Sequence, residues 1–181
     1  MSKTTQKLSK EDELLLKDFS AAVSAKGSAL FYGNSSVIAI APLYLYYGIY
    51  LMEIADAWKI WLISSLIASY LISFAYKNIK HILKHKIVVR RSDAITREMN
   101  RKLADEKKMS KKEKDERILW KKNEVGDYEA TTFSIFWNNT LFLTLFLILS
   151  FFIFSSASPS TNCFFSMSGA AGLVALFSTA K

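Results

Sequence analysis

Apolar and charged residues are sorted into blocks along this chain. The run from Thr140 to Phe154 carries no charge, whereas Lys107 to Arg117 is mostly Lys, Asp, Glu and Arg. A soluble domain mixes the two kinds of residue along each helix; blocks of this length are what a bilayer requires. Four uncharged or nearly uncharged stretches predict membrane-spanning helices: about 30–50, 58–76, 133–154 and 163–178. The links 51–57 and 155–162 are short, so the spans are expected as two helical hairpins. Pro42 is expected to kink the first span, since a membrane helix tolerates proline inside. Lys59 sits at the edge of the second span, where its ammonium can reach the interface.

The residues between the two hairpins follow a different pattern. The second span continues through Lys77, Ile79, Ile82, Leu83 and Lys86 at helical spacing, without Gly or Pro. Ile95, Met99 and Leu103 then recur every four residues as a narrow apolar stripe. Ser110-Lys-Lys-Glu113 is a capping box, which predicts a new helix from Ser110 to about Val125, loosened at Gly126. The expected fold is therefore all-α and polytopic: four transmembrane helices in two hairpins, with a basic cytosolic helical hairpin between the second and third. The domains are a cytosolic tail 1–29, a first transmembrane hairpin 30–76, a basic domain 77–132 and a second transmembrane hairpin 133–181. Within the tail, Ser9-Lys-Glu-Asp12 resembles a capping box before Leu14, Leu15, Phe19, Ala22 and Val23, a short amphipathic helix. The tail's polar start shows no cleavable signal, so insertion is expected to use the first internal apolar stretch.

Charge supplies the orientation. Of the 24 Lys and Arg, 17 lie between Lys77 and Ala130, against 10 Asp and Glu there. The link 51–57 holds only Glu53 and Asp56, and 155–162 holds no charge. The positive-inside rule then places the middle segment and both termini in the cytosol. Asn34-Ser-Ser and Asn138-Asn-Thr fit the glycosylation pattern but fall at cytosolic span ends, so modification of neither is expected. On the helix after Ser110, Lys111, Lys114, Arg117, Lys121 and Lys122 share an arc with Ile118 and Val125. Glu113, Glu116 and Glu124 lie opposite, around Trp120. With Arg101, Lys102, Lys107, Lys108 and Lys112, this arc suits a polyanion: RNA, an acidic protein, or anionic lipid. Lipid recognition would crowd cations at the span end, as at Lys77, Lys80, Lys84 and Lys86.

Catalytic chemistry is not suggested. His81 and His85 have metal-ligand spacing, yet lysines surround them and no carboxylate or cysteine is near. Cys163 is the single cysteine and reads as a packing residue. No catalytic residue, metal site or cofactor is expected. The spans carry no interior ionisable residue, which argues against an ion-coupled transporter. Ser168-x-x-x-Gly172 is expected to be a small-xxx-small contact, packing the fourth span on the third or on a partner subunit.

Several stretches resemble a known family. Ser24 to Asn34, Phe74-Ala-Tyr-Lys-Asn78, Leu83-Lys-His-Lys86, Lys108 to Glu124, Asp127 to Phe136, Asn138 to Leu143 and Leu173 to Thr179 are similar to the gamma subunits of the translocon-associated protein complex, or signal sequence receptor. The resemblance implies a four-span subunit of the endoplasmic reticulum membrane, both termini cytosolic, assembled with alpha, beta and delta subunits beside the Sec61 channel. It implies no enzyme activity, and a cytosolic domain that contacts RNA and protein of the large ribosomal subunit during co-translational translocation. The family motif covers Lys111, Lys112, Lys114, Arg117, Lys121 and Lys122, so the ribosome-facing role is carried to those positions. Two other readings stand beside it: a small channel or transporter whose basic loop sets topology, and a membrane-shaping protein that uses its basic helices on lipid.

Overall fold

The computed structural model describes residues 25–104 and 110–180. Those residues form helices joined by short turns: α1 (Ala25–Gly48), α2 (Ile54–Lys102), α3 (Lys111–Ile148), a π-helical turn (Leu149–Ile153) and α4 (Pro159–Thr179). All four helices are long and apolar enough to cross a membrane. The expected amphipathic helix of the tail lies outside the described residues. The chain divides into two compact units; Lys80–Thr132 belongs to one, and Ser24–Ile79 with Phe133–Lys181 forms the other.

The larger unit is built around Phe31, Tyr46, Tyr76, Phe142, Phe146 and Met167, all buried. Its outer surface keeps Val37, Leu66, Phe136 and Phe152 exposed, a distribution suited to hydrocarbon rather than water. The chain passes from α1 to α2 through Leu51, whose φ of 53° is in the left-handed region. The Met52 N–H donates to the Tyr46 carbonyl across this turn, 3.2 Å. The helix α1 runs unbroken through Pro42. Pro159 falls within the expected link 155–162 but opens α4, where a missing N–H is harmless, behind Ser158 as N-cap. The fourth helix therefore begins four residues before the expected 163.

The third apolar stretch is not α-helical to its end. At the π turn the Phe154 N–H bonds to the Leu149 carbonyl, five residues back. The widened turn leaves the Ser150 carbonyl to accept from the Tyr50 hydroxyl at 3.1 Å and from Asn162 Nδ2 at 3.0 Å. Asn162 also donates to the Phe154 carbonyl, 2.9 Å, while its Oδ1 accepts from Tyr46 and Ser166, each at 2.9 Å. One buried amide thus ties α1, the π turn and α4 together. Asn162 begins a buried row at four-residue intervals, continued by Ser166, Ala170, Val174 and Ser178. Within the chain this row, rather than Ser168 and Gly172, is the packed face of α4. A Cβ on Gly172 would meet nothing within 4 Å.

At the other end of this unit, Ser134 Oγ donates to the Tyr76 carbonyl at 2.7 Å, and the Tyr76 hydroxyl lies against Asn139 Oδ1. Asn139 Nδ2 reaches Asn34 Oδ1 at 3.1 Å, and buried Asn138 donates to the Ser134 carbonyl at 2.7 Å. Both asparagines of the glycosylation patterns therefore have structural partners.

In the smaller unit the end of α2 meets the start of α3. Ser110 caps α3 as the sequence implies: the Glu113 N–H donates to Ser110 Oγ, and Glu113 Oε2 accepts from the Ser110 N–H at 2.9 Å. Val88, Ile95, Leu103 and Ile118 are buried, with Met99 half-buried between them. The expected loosening at Gly126 does not occur, and α3 continues to Ile148. The glycine serves close approach instead. A Cβ there would stand 2.4 Å from Val88 Cγ2, an impossible contact with a stiff β-branched side chain.

Two substitutions test these contacts. Gly126→Ala is expected to destabilise the protein by about 1–3 kcal/mol through overpacking, with partial recovery in Gly126→Ala/Val88→Ala, read by denaturant titration in detergent. Asn162→Leu should lower the SDS unfolding midpoint by an amount equivalent to roughly 2–3 kcal/mol, whereas Tyr46→Phe, losing one hydroxyl, should lower it by about 0.6 kcal/mol.

Candidate nucleic-acid interface

The smaller unit sorts its cations by what they already hold. Lys80 Nζ lies 3.0 Å from Asp127 Oδ1, and Lys84 Nζ lies 3.2 Å from the same oxygen. The two lysine side chains are 11% and 8% exposed, so each needs that carboxylate. Burial pushes the Asp127 carboxyl up, but the hydrogen bond and charge of Lys80, joined by Lys84, outweigh it. The group is held below the ordinary carboxylate range. Arg91 Nη1 meets Glu129 Oε1 at 2.9 Å, and Lys102 pairs with Glu98 one turn back. Glu98 is likewise lowered by the Lys102 hydrogen bond and charge.

On α3 the expected basic arc surrounds the packing seam. Ile118, near its centre, is buried, and Val125 is half-buried. Lys114 Nζ is turned to the Leu103 carbonyl at 3.2 Å, where it closes the C-terminal end of α2. Lys121 pairs with Glu124 at 2.8 Å, and Lys122 is half-buried. Arg117 is exposed and lines an open hollow with Glu113, Glu116 and Trp120. Lys111 and Lys112 are exposed in the first turn, as are Arg101 and Lys102 at the end of α2. Lys107 and Lys108 lie outside the described residues. The outward side of α3 therefore presents Glu113, Glu116, Arg117, Trp120, Glu124 and Tyr128. Acids and aromatics outnumber cations on that side.

A second row of cations lies on α2, where Lys86 was expected at lipid and Arg101 at a polyanion, and where Arg90 and Arg97 now join them. Lys86, Arg90, Arg97 and Arg101 fall within an arc of about 60° at 100° per residue, and all four are exposed. None forms an ion pair among the described residues. Asp93 stands at the edge of this row. The helical projection that reveals the arc on α3 reveals this one too, so its signal was present in the sequence.

With this geometry established, similarity to known proteins becomes informative. A family model described as translocon-associated protein, gamma subunit, matches residues 11–180. The chain belongs to this family. It is also 33% identical, over 159 residues, to a translocon-associated protein subunit gamma from Dictyostelium discoideum, covering 88% of this chain and 90% of that relative. For a gamma subunit of this family, the paired lysines become scaffold and the unpaired row becomes surface.

The Asp127 pairing has a pH signature. Its folded-state pKa is depressed, so its stabilising contribution is complete above the unfolded value near 4 and is lost as pH falls through the lower folded value. Asp127→Asn is expected to destabilise the protein at neutral pH by about 1–3 kcal/mol, moderated because the carboxylate is 45% exposed. Acid titration of both proteins should show the difference shrinking below about pH 4.

Proposed function

We propose that this chain is a non-catalytic subunit that docks the ribosome from the endoplasmic reticulum membrane and supports co-translational translocation at the Sec61 channel. In this reading residues 77–132 form the cytosolic docking domain, and the spans form two hairpins with both termini cytosolic. The alpha, beta and delta subunits of the complex are its membrane partners. The observation that carries the reading is the charge of the smaller unit. Lys80–Thr132 holds 16 Lys and Arg against 10 Asp and Glu, and Lys86, Arg90, Arg97 and Arg101 are exposed with no ion pair among the described residues. Such an excess at a translocon favours the phosphate-rich surface of the large ribosomal subunit. A channel needs no such surface, since a few positive charges suffice to set topology.

The test is co-sedimentation of the full-length protein, in proteoliposomes of neutral lipid, with purified 80S ribosomes. Binding is expected at low salt and should weaken roughly 10³-fold between about 50 and 200 mM salt for six phosphate contacts. Trypsin added to intact microsomes should cleave between Arg101 and Lys122. Protection of that region, or ribosome binding indifferent to salt, would defeat the proposal.

A further inference from the structure

Given that docking role, on which this assignment rests, we infer that the row Lys86, Arg90, Arg97 and Arg101 is the surface that holds the phosphate backbone of helical RNA. The α3 cations are not that surface. From Lys80 onward the other cations of α2 are already matched: Lys80 and Lys84 by Asp127, Arg91 by Glu129, and Lys102, on the surface, by Glu98. Lys114 and Lys121 of α3 hold Leu103 and Glu124. Occupied cations bind an external anion only by giving up an internal partner, whereas the α2 row gives up nothing but water.

Spacing and residue type both fit a phosphate backbone. At about 1.5 Å rise per residue, the row spans roughly 22 Å, in steps near 6, 10 and 6 Å. That is a line of charges, suited to a run of phosphates and not to a single anion. Three of the four are arginines, whose planar fork bonds a phosphate through two N–H groups at once. The row has no aromatic residue on which an unpaired base could stack, as single-strand recognition requires. Helical RNA, recognised through shape and backbone, is the occupant that needs only cations. A lipid surface instead calls for cations within the first turns after a span. Lys77, Lys80 and Lys84 occupy those turns, with Lys77 held by the Tyr32 ring and hydroxyl and the other two by Asp127.

The experiment compares full-length proteins in neutral proteoliposomes, with 80S ribosomes and with a 20-base-pair RNA duplex as probes. In the row variant, Lys86→Gln, Arg90→Gln, Arg97→Gln and Arg101→Gln are combined; the α3 variant combines Lys111→Gln and Lys112→Gln. The row variant should flatten the slope of log affinity against log salt by about 3 to 4 and weaken duplex binding at least tenfold. The α3 variant should retain the wild-type slope to within about 0.5, against the loss of nearly 2 that two phosphate contacts would give. A charge-preserving variant, Arg90→Lys/Arg97→Lys/Arg101→Lys, should keep most of the slope, which separates lost charge from lost folding. Wild-type affinity in the row variant with loss in the α3 variant would overturn the inference and leave ribosome docking standing. So would a row variant that loses only vesicles containing phosphatidylserine while holding the duplex. Failure of the wild-type protein to bind ribosomes at all would defeat docking itself, and this inference with it.

Discussion

Asp127 carries the organisation of the smaller unit. Two lysine side chains that are almost wholly withdrawn from water, Lys80 and Lys84, converge on its carboxylate. An ammonium without a partner in such a place would be expensive, so the shared carboxylate is a condition of bringing α2 and α3 together. The approach is close as well as charged. Gly126, the residue before Asp127, leaves no room for a Cβ beside Val88. Charge pairing and backbone contact occupy adjacent positions, and the remaining cations are distributed around them.

That distribution separates structural charge from available charge. On one side of α2 lysine and arginine are consumed by Asp127, Glu129 and Glu98; on the other Lys86, Arg90, Arg97 and Arg101 face outward. On α3 the division differs, with Glu113, Glu116, Glu124 and Trp120 outward, Asp127 and Glu129 toward α2, and Lys114 turned to a backbone carbonyl. By count alone α2, with ten Lys and Arg against six on α3, is already the more basic helix, and its row of unpaired cations adds to that difference.

The larger unit obeys a related rule in a different medium. Where no water is available, a freed carbonyl must be answered by another group of the protein. The π turn frees the Ser150 carbonyl, and Tyr50 and Asn162 answer it. Asn162 in turn is saturated by Tyr46, Ser166 and Phe154. Polar side chains in otherwise apolar helices are here the means of fixing which helices touch. The family match over residues 11–180 accords with a chain whose membrane and polar parts form a single design.

The sequence alone determined that there are four long apolar helices, because a bilayer demands uncharged stretches of about 20 residues and nothing in a soluble fold mimics them. It also determined where α3 begins, since the capping box of Ser110 and Glu113 is a local device that needs no tertiary partner. Tertiary contacts decided what local pattern could not. Gly126 reads as a helix breaker until Val88 is placed beside it. Asn162 reads as a loop residue until the π turn is seen. The arc around Ile118 reads as a free basic face until Lys114 and Lys121 acquire partners. Each of these positions takes its role from residues brought to it by folding, and the energy of those contacts exceeds any preference encoded nearby.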